Sequence, residues 1–245
     1  MLYHSEVICY NYSYKKMSSV QIVHAIISLF VVLFAITIHE ASHGWSALKL
    51  GDSTAYSLGR VTLNPIPHID LLGTIILPVI LVISGAPPFG WAKPVPVNPY
   101  NFRNLKRDNL IVSAAGPASN LLAATAAYLL LQVVRAANPE TVGSMIYYLK
   151  RNYLLNLQGS KALLMGLVLL LFYFIIINVI LAVFNLIPIP PLDGSGILMG
   201  FLSPEAGRKY EQLQPYGFFI VILLVMTGII SRMIHFILGI VYIFL

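Results

Sequence analysis

The chain has 245 residues, of which 58% are hydrophobic and 10% are charged, and its formal net charge is +6. Because soluble domains carry about 25% charged residues, this composition excludes an ordinary water-soluble domain. The basic residues lie in short stretches between apolar segments and do not alternate with aromatic residues, which excludes a nucleic-acid-binding surface.

Polar residues fill the beginning of the chain. We interpret residues 1–17 as a polar N-terminal extension, with the translation start open between Met1 and Met17, and residues 18–245 as a single membrane-embedded domain. Cys9 is the one cysteine, which excludes an intramolecular disulfide and a cysteine-based metal site. The apolar run that follows ends in HEASHGW and not at a cleavage site of small residues, so it predicts a retained helix.

Four apolar segments are long enough to cross a bilayer as helices, which takes ~20 residues. They are Val20–Leu48, Leu110–Val134, Ala162–Ile187 and Tyr216–Leu245, the last broken near Gly228–Arg232. A fifth segment, Leu71–Ser84, has only 14 residues and contains Pro78, which favours a re-entrant half-helix. Prolines in residues 85–109 exclude a helix there, and the alternation in WAKPVPV predicts an extended segment.

Residues 136–161 are interpreted as a polar connection between two of these apolar segments. Taken together, the segments predict an all-α integral membrane protein. It is expected to be a helical bundle of about 4–6 membrane segments with a short extended or re-entrant proline-rich segment.

Near its end, the first apolar segment contains the motif His39-Glu40-Ala41-Ser42-His43, which has three ionisable residues. Residues four apart lie on one face of a helix, so both imidazoles can reach one metal ion, and Glu40 lies beside that face, where it can accept a proton from water. The preceding run, Val20–Ile38, contains no charged residue. Ionisable residues at membrane depth cost about 2.5–3.5 kcal/mol on insertion scales and are functional by default, so the motif predicts a metal site and not merely a polar helix end.

A hydrolytic zinc site takes three protein ligands and keeps a fourth position open. The candidates for the third ligand are His68, Asp70, Asp193 and His235, and the sequence favours Asp193. It lies in NLIPIPPLDG, directly after the 24 uncharged residues of Ala162–Asn185, and the prolines of this motif break the helix. An acidic residue on broken backbone at membrane depth is tolerated where it lines a cavity or meets a partner.

Three motifs on successive apolar segments give the chain a resemblance to a known family. HEASH, then AGPASN at residues 115–120, then NLIPIPPLDG resemble the motifs of the site-2 protease family of intramembrane zinc metalloproteases, over about residues 20–225. The stretches GRVTLNPIPHIDLLGT and FGWAKPVPVNP resemble a compact prokaryotic branch without PDZ or CBS domains. The resemblance implies one Zn²⁺ per chain, held by His39, His43 and Asp193, with Glu40 as the catalytic base.

Four other polar residues are weaker candidates. Asn185 could hydrogen-bond a substrate carbonyl or oxyanion, or satisfy the broken helix backbone, and both interpretations stay open. Asn120 could also act on substrate, but an amide that packs membrane helices is the favoured interpretation. His68 and Asp70 could orient a metal ligand or form a polar pair in an interfacial loop.

The expected function is therefore peptide-bond hydrolysis in transmembrane protein substrates, that is, regulated intramembrane proteolysis. The expected location is a multi-pass position in a prokaryotic plasma membrane, with the lipid bilayer and substrate proteins as partners. A catalytically silent adaptor is one alternative, against which the intact Glu40 argues. A metal transporter is another, but it would spread ionisable residues along several helices and not gather them in one set.

Overall fold

The computed structural model describes residues 19–77, 80, 91–151, 159 and 161–245. The predicted N-terminal extension, and much of the second half of the predicted half-helix Leu71–Ser84, lie outside the described residues. In the described part the secondary structure is helical and no β-strand occurs, which confirms the predicted all-α class.

Apolar runs separated by prolines and glycines divide the described chain into helices. Proline occupies the first turn of α4 and α7. Backbone N–H groups in the first turn have no intrahelical partner, so the missing N–H of proline costs no hydrogen bond there. Single turns of 3₁₀-helix and one π-helical turn at Leu71–Ile76 lie between the longer elements. The α-helices are α1 (Ser19–Lys49), α2 (Thr54–Ser57), α3 (Leu105–Ala137), α4 (Pro139–Lys150), α5 (Ala162–Asn185), α6 (Asp193–Met199), α7 (Pro204–Glu211), α8 (Gly217–Met226) and α9 (Ile229–Phe244).

Three of the described helices, α1, α3 and α5, are long and apolar enough to cross a membrane. A fourth candidate span is the pair formed by residues Pro204–Met226 and Ile229–Phe244, which bends by 66° at a short break. Gly228 makes this break with a φ of +73°, a left-handed conformation that glycine adopts without strain. The four long apolar segments predicted from the sequence are thus confirmed as helices, and the predicted break lies at its expected place.

Helix α3 is the centre of the bundle, because α1, α5 and α6 all pack against it. The buried apolar core lies among α3, α4, α5 and the chain end. Residues Val142, Met145, Ile146 and Leu149 of α4 belong to this core. The interpretation of residues 136–161 as a polar connection was therefore wrong over Pro139–Lys150, since these four residues have the i, i+3, i+4, i+7 spacing of one helix face.

The proline-rich segment, residues 91–101, follows an irregular path without helix as far as Asn98, as its prolines predict. The exclusion of helix over residues 85–109 was wrong at its end, where Pro99–Asn101 forms a 3₁₀ turn and α3 begins at Leu105. Backbone N–H groups of the segment at alternate residues bind the loop that follows α2. Trp91 donates to the carbonyl of Gly73 at 3.2 Å, and Lys93 donates to the carbonyl of His68 at 3.0 Å. Alternate residues facing the same side are typical of extended backbone.

Two buried charged side chains hold the same segment, Asp52 from the turn after α1 and Arg60 from the turn after α2. The Arg60 guanidinium donates to the Lys93 carbonyl at 2.7 Å. The Asp52 carboxylate accepts from the Asn98 backbone N–H at 2.7 Å and from the Asn101 side chain at 2.7 Å. Because Asp52 is 0% exposed, its carboxylate depends on these donors in place of water. The proline-rich segment is therefore fixed to the turns that follow α1 and α2 by hydrogen bonds and not by a β-ladder.

Replacing Asp52 with Asn should lower the free energy of unfolding by about 1–3 kcal/mol, the usual cost of leaving a buried donor unsatisfied. Burial would raise the pKa of Asp52, but hydrogen bonds from Thr54, Asn101 and Asn98 outweigh it and hold the pKa below its usual value. The stability that this carboxylate provides is thus complete above the ordinary aspartate pKa of about 3.9 and is lost as the pH falls below it.

Thermal unfolding in detergent micelles at several pH values measures this effect. The difference in stability between the wild type and D52N should be largest near pH 7 and should shrink on acidification. The variant N101A, which removes one donor only, should cost less than D52N. An equal stability of wild type and D52N at pH 7 would contradict the assignment of Asp52 as an anchor.

Candidate metal centre

Two histidines of α1 and one aspartate of α6 meet at the surface of α3. The Nε2 atoms of His39 and His43, one helical turn apart, lie 3.1 Å from each other. The Asp193 carboxylate oxygens lie 3.0 Å from Nε2 of His39 and 3.3 Å from Nε2 of His43. Among the described residues, this trio forms the one group of three or more His, Cys, Asp or Glu side chains that could hold a metal ion.

Helix α3 fixes the orientation of both imidazoles. Nδ1 of His43 lies 2.7 Å from the backbone carbonyl of Val112, which can only accept, so this nitrogen carries the proton. Nδ1 of His39 lies 2.6 Å from the side-chain oxygen of Asn120 and likewise donates. In the neutral imidazoles both Nε2 atoms then present lone pairs to the same point.

The trio fits a divalent ion such as Zn²⁺. Two nitrogen lone pairs and a carboxylate face one another, and the Asp193 Oδ2 atom has no hydrogen-bond partner in the described chain. With both Nε2 atoms unprotonated, such an arrangement of acceptors favours a bound cation. Tetrahedral ligands at ~2.0–2.1 Å from zinc lie about 3.3 Å from one another, and the three Nε2 and carboxylate separations are 3.0 to 3.3 Å.

A glycine of α3 gives this site its space. A Cβ atom on Gly116 would lie 2.7 Å from Nε2 of His39 and closer still to Nε2 of His43. Any side chain at this position would therefore displace the imidazoles or fill the place of the ion. The close approach of α3 to the two imidazoles thus explains why a glycine stands in the motif AGPASN.

Asp193 reaches the site because α5 ends and the chain turns back within a few residues. Prolines at 188, 190 and 191 prevent the helix from continuing, and the bond between Pro190 and Pro191 is cis. Helix α6, which begins at Asp193, then packs closely on α3. A Cβ on Gly196 would overlap Ser113, and one on Gly200 would overlap Leu110.

The Glu40 carboxylate is held by the proline-rich segment. Its Oε2 atom accepts a hydrogen bond from the backbone N–H of Val95 at 2.8 Å. The side chain of Val95 is buried, so this contact is shielded from water. The sequence predicted an extended segment here, but not that one of its amides binds Glu40.

The weaker candidates Asn120 and Asn185 form hydrogen bonds of their own and are not part of the candidate metal-binding trio. Asn120 is fully buried, and its amide nitrogen donates to the Ala35 carbonyl at 3.0 Å and to the Asn178 side chain at 2.8 Å. Both of its N–H groups are thus used, and none is left for an oxyanion. Asn185 donates to the Leu181 carbonyl at 3.0 Å, and a substrate role for Asn185 stays a prediction.

His68 and Asp70 form no described hydrogen bond with the three ligands. His68 Nε2 bonds the Thr62 carbonyl at 3.1 Å, and Asp70 accepts from the Gly73 backbone N–H at 2.7 Å. Burial lowers the pKa of His68, and the Arg60 charge acts in the same direction. Both residues therefore order the loop that binds the proline-rich segment, and any influence on the ligands is indirect.

Comparisons with known proteins point to zinc metalloproteases. A family model described as "Peptidase family M50" matches residues 27–228. A Bacillus subtilis (strain 168) protein named "Putative zinc metalloprotease YwhC" is 35% identical over 80% of this chain and 78% of its own length. A Mycolicibacterium smegmatis protein named "Putative zinc metalloprotease Rip2" is 30% identical over 82% of this chain and 66% of its own length. No solved structure matches the chain.

Replacing Gly116 with Ala should weaken Zn²⁺ binding about 10- to 100-fold, the range found when the groups that orient metal ligands are disturbed. The added methyl group would push directly against both Nε2 atoms. Competition with a chromogenic chelator measures the affinity. The matched control is G166A, since a Cβ on Gly166 meets nothing within 4 Å. Equal zinc affinity of G116A and G166A would contradict the close approach described here.

Proposed function

The chain belongs to peptidase family M50, the site-2 protease family of zinc metalloproteases, and we propose that it is an intramembrane endopeptidase that hydrolyses transmembrane protein substrates. One observation carries the proposal. The imidazoles of His39 and His43, on a helix apolar enough to span a membrane, converge with the carboxylate of Asp193. We assign these three side chains as the ligands of one Zn²⁺ and Glu40 as the catalytic base.

The proposed chemistry is the addition of water to a peptide carbonyl. Zinc, when bound, supplies a Lewis acid that polarises the carbonyl and lowers the pKa of water to near 7. Glu40 accepts a proton from the attacking water while the C–O bond forms, and then passes it to the leaving amine while the C–N bond breaks. The hydrogen bond from the Val95 amide to Oε2 keeps the carboxylate of Glu40 in place during both transfers.

A metal transporter is less well supported by the same observations. It would need further ionisable ligands that pass an ion from one site to the next. Within the described residues, His39, His43 and Asp193 form the only group of this kind. The proposed location in a prokaryotic plasma membrane is supported by the bacterial origin of the relatives and by the candidate spans. A part in regulated proteolysis stays a prediction.

We propose that a substrate helix, once locally unwound, binds as a strand along the edge of the proline-rich segment. The N–H groups of Trp91, Lys93 and Val95 all bind the protein itself, so in extended backbone the alternate residues direct theirs to the opposite edge. Residues 94 and 96 are prolines without an N–H. Of the three residues at 92, 94 and 96, Ala92 is therefore the one whose N–H can donate to a substrate strand. The other hydrogen bonds to the substrate are accepted by carbonyl groups of the segment.

Glu40→Gln should abolish cleavage while zinc stays bound, because the amide cannot take the proton but leaves the three ligands intact. Cleavage of single-span substrates by the purified protein, together with its zinc content, tests this. The contrasting variant, Asp193→Ala, should lose zinc as well as activity. Full activity of E40Q would overturn the assignment of the base, and unchanged zinc in D193A would overturn that of the third ligand.

Ala92→Pro should lower kcat/KM about 3- to 10-fold, the worth of one hydrogen bond, and leave zinc content unchanged. The substitution removes the N–H of residue 92 and spares the amide that binds Glu40, which a proline at Val95 would not. The matched control is Ala92→Val, which keeps the N–H. Equal kcat/KM values for the two variants would argue against strand addition at this edge.

A further inference from the structure

A buried amide lies in the middle of the most apolar helix of the protein. Asn178 of α5 is 0% exposed and is one of only two asparagines in the uncharged run Ala162–Asn185. Burial of an amide in apolar surroundings is unfavourable unless its hydrogen bonds are made. In this case they are made, and they lead through Asn120 of the neighbouring helix α3 towards the metal centre.

The two ends of the Asn178 amide have different partners. Its nitrogen donates to the backbone carbonyl of Phe174 at 2.8 Å. Its oxygen accepts from the side-chain nitrogen of Asn120 at 2.8 Å. Because a backbone carbonyl can only accept, the Phe174 contact excludes the flipped amide, and the oxygen of Asn178 must face Asn120.

The same reasoning applies to Asn120 one step further on. Its nitrogen donates both to Asn178 and to the backbone carbonyl of Ala35, the latter at 3.0 Å. Both N–H groups are then occupied, and the oxygen must face Nδ1 of His39, at 2.6 Å. An oxygen at this place accepts only from a protonated Nδ1, and this leaves the Nε2 lone pair of His39 for the metal.

We propose that Asn178 is a positioning residue for the metal centre, which acts through Asn120 to fix the ring orientation and the tautomer of His39. The inference rests on the proposed function, since it needs His39 to be a metal ligand. The described hydrogen bonds of Asn178 go to Asn120 and Phe174, and none goes to the three candidate ligands. Its effect is to supply the second of the two acceptors that bind the Asn120 amide nitrogen.

A purely structural role is the competing explanation, because the contact also joins α5 to α3. A matched control separates the two. Tyr173 lies five residues before Asn178 on α5, and its hydroxyl lies 2.9 Å from Nδ1 of His24 on α1. Tyr173→Phe thus removes an interhelical hydrogen bond of the same helix that has no connection to Asn120.

The experiment measures the zinc affinity of the purified full-length protein by chelator competition, and its thermal stability in the same detergent. Asn178→Leu should weaken zinc binding about 10- to 100-fold, as removal of indirect ligand support generally does. Tyr173→Phe should lower stability and leave zinc affinity unchanged. Asn178→Thr should recover part of the affinity, because a threonine hydroxyl can donate to the Phe174 carbonyl and still accept from Asn120.

A double-mutant cycle tests whether Asn178 acts through Asn120. In an Asn120→Ala background, Asn178→Leu should cause no further loss of zinc affinity. Additive losses, an unchanged affinity in N178L, or an equal loss in N178L and Y173F would each overturn the inference. Should N178L fail to fold, N178A provides the same comparison.

The proposed function itself has a separate readout. If wild-type protein binds zinc and D193A does not, the metal site stands whatever the Asn178 variants show. If the wild type binds no zinc, the proposed function fails and the inference fails with it.

Discussion

The structure depends on one constraint, that the Nδ1 atoms of two buried imidazoles must each find an acceptor inside an apolar bundle. Helix α3 provides both, a backbone carbonyl from Val112 for His43 and a side-chain oxygen from Asn120 for His39. Without these acceptors, the rings would be free to rotate or to exchange tautomers, and the Nε2 lone pairs would not converge. The central position of α3 in the bundle is thus also what defines the metal centre.

This constraint explains why the polar groups of the interior form connected sets. In a medium without water, each polar group needs a protein partner, so the Asn120 amide requires further acceptors, which Ala35 and Asn178 supply. The same holds for the proline-rich segment, where Asp52 and Arg60 satisfy backbone groups that no neighbouring strand binds. Hydrogen bonds to buried side chains replace the regular secondary structure that prolines prevent.

Much of this could be predicted from the sequence, because its signals are local. The apolar runs predicted the long helices. The uncharged stretches before the HEASH and NLIPIPPLDG motifs indicated His39, His43 and Asp193 as candidate ligands. Contacts between distant residues could not be predicted. Asn178 was visible as an isolated amide in an apolar helix, but only the fold shows that it faces Asn120. The binding of Glu40 to the Val95 amide involves a backbone group, for which a sequence carries no signal.

Helix α4 was not predicted for a different reason, since its apolar face could be seen in the sequence. The spacing of Val142, Met145, Ile146 and Leu149 is helical, but the polar and basic residues around them dominated the average composition of residues 136–161. Similarly, Gly116 appeared as part of a motif, whereas the reason for a glycine, the approach of two imidazoles, exists only in three dimensions.

The distance along the chain between the ligands has a consequence for biosynthesis. His39 and His43 enter the membrane with the first helix, but Asp193 follows only after α5 has been made. Domains are completed in the order of synthesis, from the N-terminus onwards, so a nascent chain carries a histidine pair without its carboxylate until more than three quarters of the protein has left the ribosome. A partly made chain therefore lacks the third candidate ligand, and the trio of His39, His43 and Asp193 can assemble only late in synthesis.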